Sequence, residues 1–258
     1  KNRTRDTESK RGIDVCIVFQ SVSLLDALYF FLDSCTMRGF ILTYGAGGEH
    51  VRSVQTHKRR MNVNQVIYSE VQKVLYESKK KEPFFVDVPN MKYLKFDGSG
   101  HPSDKDYQVA CEELYTVAYT LKFEIARKKL DIDFKVNPME VTWYLDKSDK
   151  QIAFTWTMML MQPDFISEEM VQEAIRIAEV KAEKKGKWIA FNRVAFGEVV
   201  FGRSIQCFHL GDYNRMNDTL AKMIAFARQN ELECDQYTHD IYLNDMRKTK
   251  VENYKTIM

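Results

Sequence analysis

Residues 139–161 read Met-Glu-Val-Thr-Trp-Tyr-Leu-Asp-Lys-Ser-Asp-Lys-Gln-Ile-Ala-Phe-Thr-Trp-Thr-Met-Met-Leu-Met. Pro138 precedes a short strand, Met139 to Leu145, and Asp146 to Lys150 is a polar turn. Beyond it Ile152, Phe154, Trp156, Met158 and Leu160 alternate with Ala153, Thr155, Thr157, Met159 and Met161. Two such runs across a short polar loop define a β-hairpin. Upstream, Ser103 and Asp106 form a capping-box pattern. The helix behind them puts Tyr107, Ala110, Leu114, Val117, Leu121 and Ile125 on one face with a 3.6-residue period. Earlier still, Phe84 to Phe96 is strand-like, with Pro89 at a bulge or edge, and Gly98-Ser99-Gly100 closes it as a turn. This half therefore runs strand, helix, strand, strand.

The order returns downstream. Ser167-Glu168-Glu169 opens a helix with Val171, Ala174, Ile175, Ala178 and Ala182 inward, ending at Lys184-Lys185-Gly186. Trp188–Phe191 and Glu198–Leu210 read as strands and Gly211-Asp212 as a turn. Asn217 caps a third helix, with Leu220, Met223, Ile224 and Ala227 inward, and Thr238–Leu243 is the last strong strand. The halves share an order of elements without detectable sequence identity. Two such units pair into one curved sheet with helices on one side, an α+β fold. That leaves the opposite face, or the groove between the halves, for a ligand. Before both, Asn64 to Lys81 carries Val66, Ile67, Val71, Val74 and Leu75 at helical spacing and ends in lysines, so the spacing predicts a helix that Pro83 breaks.

Composition narrows the function. The chain has 258 residues, 45% of them hydrophobic, enough for a substantial core. Its formal charge of +2 leaves no overall electrostatic footprint for nucleic acid or an anionic membrane. Lys58-Arg59-Arg60 and Lys79-Lys80-Lys81 read as solvated element ends. The five scattered cysteines include no Cys-x-x-Cys pair, which favours a reducing, cytoplasmic setting, and no signal-peptide pattern is visible. Asn2-Arg3-Thr4 and Asn217-Asp218-Thr219 match a glycosylation sequon too short to carry weight.

Residues 1–63 form an N-terminal extension, and 64–258 the domain. Val15 to Leu32 has three readings: a buried strand followed by an amphipathic helix, a membrane or interfacial segment, or a segment that folds apart from the domain. Gly45-Ala46-Gly47-Gly48 lacks the Lys-Ser/Thr of a phosphate-binding loop and reads as a turn. No cofactor motif, Gly-x-Ser-x-Gly elbow or spaced metal-ligand set occurs, so no cofactor and no metal are expected. Nothing in the sequence sets an oligomeric state.

Three blocks carry a family resemblance. They are Lys79 to Gly100; Asn137 to Trp143 with Trp156 to Phe165; and His209 to Tyr213 with His239 to Thr249. In order and spacing they resemble the GyrI-like small-molecule-binding domains, the effector-binding domains of multidrug-responsive regulators, and especially their stand-alone branch. The resemblance implies a duplicated β-α-β-β (SHS2-type) unit, a curved antiparallel sheet and a central cleft for hydrophobic, often cationic, aromatic compounds. Family members sense or sequester drugs, hydrolyse cyclopropane-bearing toxins, or inhibit DNA gyrase.

Candidate site residues follow. Asp240 stands in an Asp-Ile-Tyr-Leu stretch where the family pattern has Glu-Ile-Tyr-Leu, so charge is kept and reach shortened by one methylene. Strand alternation puts Thr238, Asp240 and Tyr242 on one face, neighbours roughly 6.6 Å apart. A carboxylate among aromatic rings can pair with a cationic ligand or, if desolvation raises its pKa, act as acid or base. Asp240 and Tyr242 are thus the catalytic candidates. Trp143, Trp156, Tyr115 and Tyr119 are aromatic candidates for ligand contact, each equally readable as core packing. Met158, with Met159 and Met161, suits an adaptable lining or the core. Glu140 matches a family Pro-x-Glu-x-x-Trp stretch but reads equally as a surface strand residue. His209 and His239 have no spaced partners and read as structural. The expected partner is a small hydrophobic molecule, with neither nucleic acid nor membrane. A ligand binder, a hydrolase adding water to a strained ring, and the effector module of a transcription regulator all fit, although residues 1–60 contain no convincing helix-turn-helix.

Overall fold

The computed structural model describes residues 64–66, 69–144, 155–186, 191–235 and 237–258. The readings made on residues 1–63, Ile67, the turn Asp146–Lys150, Ile152–Phe154 and Trp188 fall outside them. In chain order the elements begin with β1 (Asn64–Gln65), α1 (Glu70–Glu77), β2 (Phe84–Val88), β3 (Met91–Ser99), α2 (Lys105–Thr120), β4 (Ile132–Asp133) and β5 (Met139–Tyr144). They continue with β6 (Thr155–Gln162), α3 (Glu168–Glu183), β7 (Ala195–Val199), β8 (Gly202–Gln206), β9 (Phe208–Leu210), α4 (Met216–Gln229), β10 (Tyr237–Tyr242) and β11 (Lys255–Ile257).

The quoted hairpin is the middle of a seven-stranded antiparallel sheet of order β7-β3-β6-β5-β10-β11-β9. Trp143 pairs with Trp156 and Tyr144 with Thr155. The order exposes the duplication. One unit is β3-α2-β5-β6 and the other β9-α4-β10-β11. In each, the first strand lies outermost, the third in the middle and the second innermost. The units meet where β5 pairs with β10, Asp240 opposite Val141 and Tyr242 opposite Met139.

On one face α2 and α3 cover β3 and β6, burying Leu94, Phe96, Trp156, Met158 and Leu160 against Leu114, Val117 and Val171. Beyond Thr120 the helix widens to π-helical geometry over Leu121–Leu130 and stops at Asp131, a left-handed residue (φ 54°). The opposite face is not free, as the sequence reading allowed. Leu75 and Tyr76 of α1 pack there with Tyr93, Met159, Met161 and Ile241, joined by Val86 and Val88 from the separate β2–β8 pair. Of the two places the sequence reading left for a ligand, the one between the units is the one these residues do not cover.

Several boundaries differ from expectation. Pro89 does not bulge one long strand. It divides Phe84–Phe96 into β2 and β3, which join different sheets, because proline cannot donate to a ladder. The turn at Gly98-Ser99 is strand instead: Trp156 lies flat on Gly98, where a Cβ would come within 2.2 Å of its ring. Gly98→Ala should therefore cost about 1–3 kcal/mol of stability, read as a lower urea midpoint with near-UV circular dichroism reporting the displaced indole. The α2 N-cap is Asp104, not Ser103; its carboxylate accepts from the His101 N–H. Helix α1 is shorter than the predicted 64–81 stretch. It starts with a Ser69–Gln72 capping box and buries Leu75 and Tyr76, leaving Val66, Val71 and Val74 exposed. Glu198–Leu210 is not one strand: Val200 and Phe201 separate β7 from β8, which opens on Gly202 (φ 65°), and Cys207 separates β8 from β9. Asp212 caps a 3-10 turn (Tyr213–Arg215) ahead of α4, so Asn217 is already helical. β11, absent from the sequence reading, completes the second unit by pairing with both β10 and β9.

Candidate functional site

Alternation along β10 sends Thr238, Asp240 and Tyr242 to the helix-bearing face and His239 and Ile241 to the other. The ladder carries Tyr242 on to Thr256 and Thr256 on to His209, so these share that face. His209 is fixed by Thr219 of α4 at 2.8 Å and by the Asp212 carbonyl at 3.0 Å. That bond seats the start of α4 over β9, opposite α2 across the groove. His209 is thus structural.

The centre of the groove is a carboxylate in an aromatic cage. Asp240 is 4% exposed. Tyr242 Oη donates to Asp240 Oδ2 at 3.4 Å, and Trp143 Nε1 donates to the same hydroxyl at 3.3 Å. Asp240 Oδ1 is buried without a hydrogen-bond partner among the described residues. Burial is the main cause pushing the Asp240 carboxyl up to about 7; His239, Tyr242 and Trp143 act against it. Tyr107 of α2 stacks on Trp143, ring centres 5.9 Å apart. Tyr213 meets Tyr242 edge-on at 5.6 Å and stacks on Tyr254 at 4.9 Å. Burial, reinforced by Asp240, holds the Tyr107 and Tyr242 phenols neutral and far above their ordinary range. A carboxyl buried among ring faces is costly as an anion alone, and a cation or a dissociable proton relieves the cost.

Of the residues singled out from the sequence, the structure brings Asp240, Tyr242 and Trp143 together. Trp156 and Met158 share their face but lie beneath α2, fully buried. Trp156 supports the cage from below, its ring edge-on to Tyr107 at 5.0 Å. Tyr115 is half-buried two turns along α2 from Tyr107, within electrostatic reach of Asp245 and Arg247 in the segment after β10. Tyr119, 47% exposed, stacks between Tyr115 and Phe123. Glu140 does not reach the groove. It opposes Ile241, so its side chain lies behind the sheet, 1% exposed. Tyr107 and Tyr213 complete the cage and were not among the expected site residues. Tyr107 stands eight residues, just over two turns, before Tyr115 on the same stripe; Tyr213 closes a family-like block.

Among the described residues no group of three His, Cys, Asp or Glu side chains could hold a metal ion. Nor is any described helix long and apolar enough to cross a membrane.

This fold and groove define a class. The chain belongs to the GyrI-like small-molecule-binding domain family, which it matches over residues 81–258. It is similar to an uncharacterized conserved protein from Listeria innocua, 33% identical with a TM-score of 0.64, covering 72% of this chain and 94% of that one. It is equally similar to a hydrolase from Listeria innocua, 33% identical with a TM-score of 0.63 and the same coverage. No curated protein matches it.

Proposed function

We propose that the chain binds small hydrophobic molecules carrying an aromatic ring and a positive charge, in the groove between its two units. The observation behind this is Asp240, buried with one oxygen unpartnered among Tyr107, Trp143, Tyr213 and Tyr242. A cation placed there gains the carboxylate and the faces of the rings at once. Because Asp240 is covered, a ligand reaches it by parting these rings, so association is slower than for an open site. The reading places sensing or sequestration of xenobiotics first, with the effector module of a regulator as one setting for it. The test is titration of a cationic aromatic dye against the protein, watching the Trp143 indole N–H by NMR. Saturable binding that moves this resonance supports the reading; binding that leaves it unmoved while shifting exposed residues overturns it.

A second reading, a hydrolase adding water to a strained ring, has its own support. A carboxyl near neutrality beside a tyrosine hydroxyl is equipped to take a proton from water, and one relative is a hydrolase. In this reading Asp240 is the base and Tyr242 places the water. Incubation with a cyclopropane-bearing electrophile should then give the water adduct with wild type and none with Asp240→Asn. No adduct with wild type removes the reading for that substrate.

A further inference from the structure

Behind the sheet, back to back with the cage, lies a second buried polar cluster. Glu140 on β5 accepts from Tyr76 of α1 at 2.7 Å and meets His239 Nε2 at 2.9 Å. His239 Nδ1 lies 2.9 Å from Thr142 Oγ1, and the Phe201 ring packs 4.6 Å from the imidazole. Tyr93 of β3 faces Glu140 from a further side; burial first, and then Glu140, keep its phenol protonated. Around the imidazole and its Glu140 partner stand Thr142 from β5, Tyr76 from α1, Tyr93 from β3 and Phe201 from the segment between β7 and β8. Glu140 is the acidic one.

His239 and Asp240 are consecutive residues of one strand, so one backbone unit joins the two clusters. Both ring nitrogens of His239 have an oxygen within hydrogen-bonding distance, so the ring is held in place behind the strand. We propose that His239 is a positioning residue for the groove: braced by Glu140 and Thr142, it holds its imidazole directly behind Asp240 and favours the charged carboxylate that meets the ligand. This rests on the reading of Asp240 as the ligand's anchor. Its physical basis is that a neighbouring positive charge in a medium of low dielectric favours the ionised acid. Of the influences opposing burial at Asp240, His239 is the largest. Helix α1, which lies ahead of the family match at residue 81, thereby takes part in the site, since Tyr76 steadies Glu140 from behind.

The test follows the Asp240 carboxyl carbon by NMR across pH 4–9 in the whole chain, assigned with Asp240→Asn. In His239→Gln the Asp240 midpoint should rise by about one pH unit. Dye affinity should then fall about fivefold at pH 7 and match wild type at pH 9, whereas a merely structural defect weakens binding at every pH. An unmoved midpoint overturns the proposal, and His239→Asn supplies the same reading if His239→Gln fails to fold. If no dye binds wild type, the anchor reading fails while the NMR titration still judges His239.

Discussion

Asp240→Asn should make the protein more stable at pH 8 while removing its affinity for cationic ligands. The sign follows from the direction of the shift. Burial raises the Asp240 carboxyl from 3.8 to about 7 in the folded chain. Between these values the folded state holds a proton that the unfolded state has lost, so stability falls as pH rises. Below the lower value both states are protonated and nothing is lost. Above the upper one the full cost is present, about 4 kcal/mol at roughly 1.4 kcal/mol per pH unit. Asparagine keeps the shape without the charge. Chemical denaturation at pH 4 and pH 8 should therefore show a pH-dependent loss in wild type that the variant lacks. Cation affinity should move the other way, falling about thirtyfold or more at pH 8, since removing one member of a buried charge pair costs about 2 kcal/mol or more. A neutral ligand with the same ring should bind both proteins alike. Stability sacrificed at a site that regains it on binding marks function more firmly than the presence of a carboxylate does.

Trp156→Ala should be the most damaging single core substitution around the groove. The side chain is fully buried, donates to the Gly100 carbonyl at 3.1 Å, stacks on Phe96 at 6.4 Å and supports Tyr107. Truncation empties a large space and removes the bond to a partly buried carbonyl, so a loss of about 3–5 kcal/mol is expected, seen as a thermal midpoint lower by on the order of 10 °C. Trp143→Ala, at the half-buried rim, should cost less stability and more binding. Equal losses from the two would contradict the division into support and cage drawn here.

That division was hidden in the sequence, and the reason is register. The hairpin of residues 139–161 announces itself because its alternation is strong and its turn polar. Alternation alone also puts Glu140 and Trp143 on opposite faces of one strand. Choosing which of them shares a face with Asp240 required the pairing of β5 with β10, a contact about a hundred residues apart in the chain. β11 has three residues, too few for a period to show. Pro89 was legible as a disturbance but not as the border between two sheets, which depends on β8 being there to receive β2. Helix α1 misled because its apolar valines face outward while a tyrosine, through Glu140, is its anchor. The family-like blocks located the acid and the tryptophan. They did not reveal that Tyr107 and Tyr213 close over them, since those rings reach the site from different elements, α2 and the 3-10 turn ahead of α4.

The central claim is that an ionisable carboxyl in an aromatic cage captures a cation. The measurement that tests it most directly is the affinity of one cationic aromatic dye and its uncharged analogue at pH 6 and pH 8. With Asp240 titrating at about 7, cation affinity should rise on the order of tenfold between the two pH values while the analogue's stays constant. A cation that binds equally at both, or an analogue that follows it, would contradict the account.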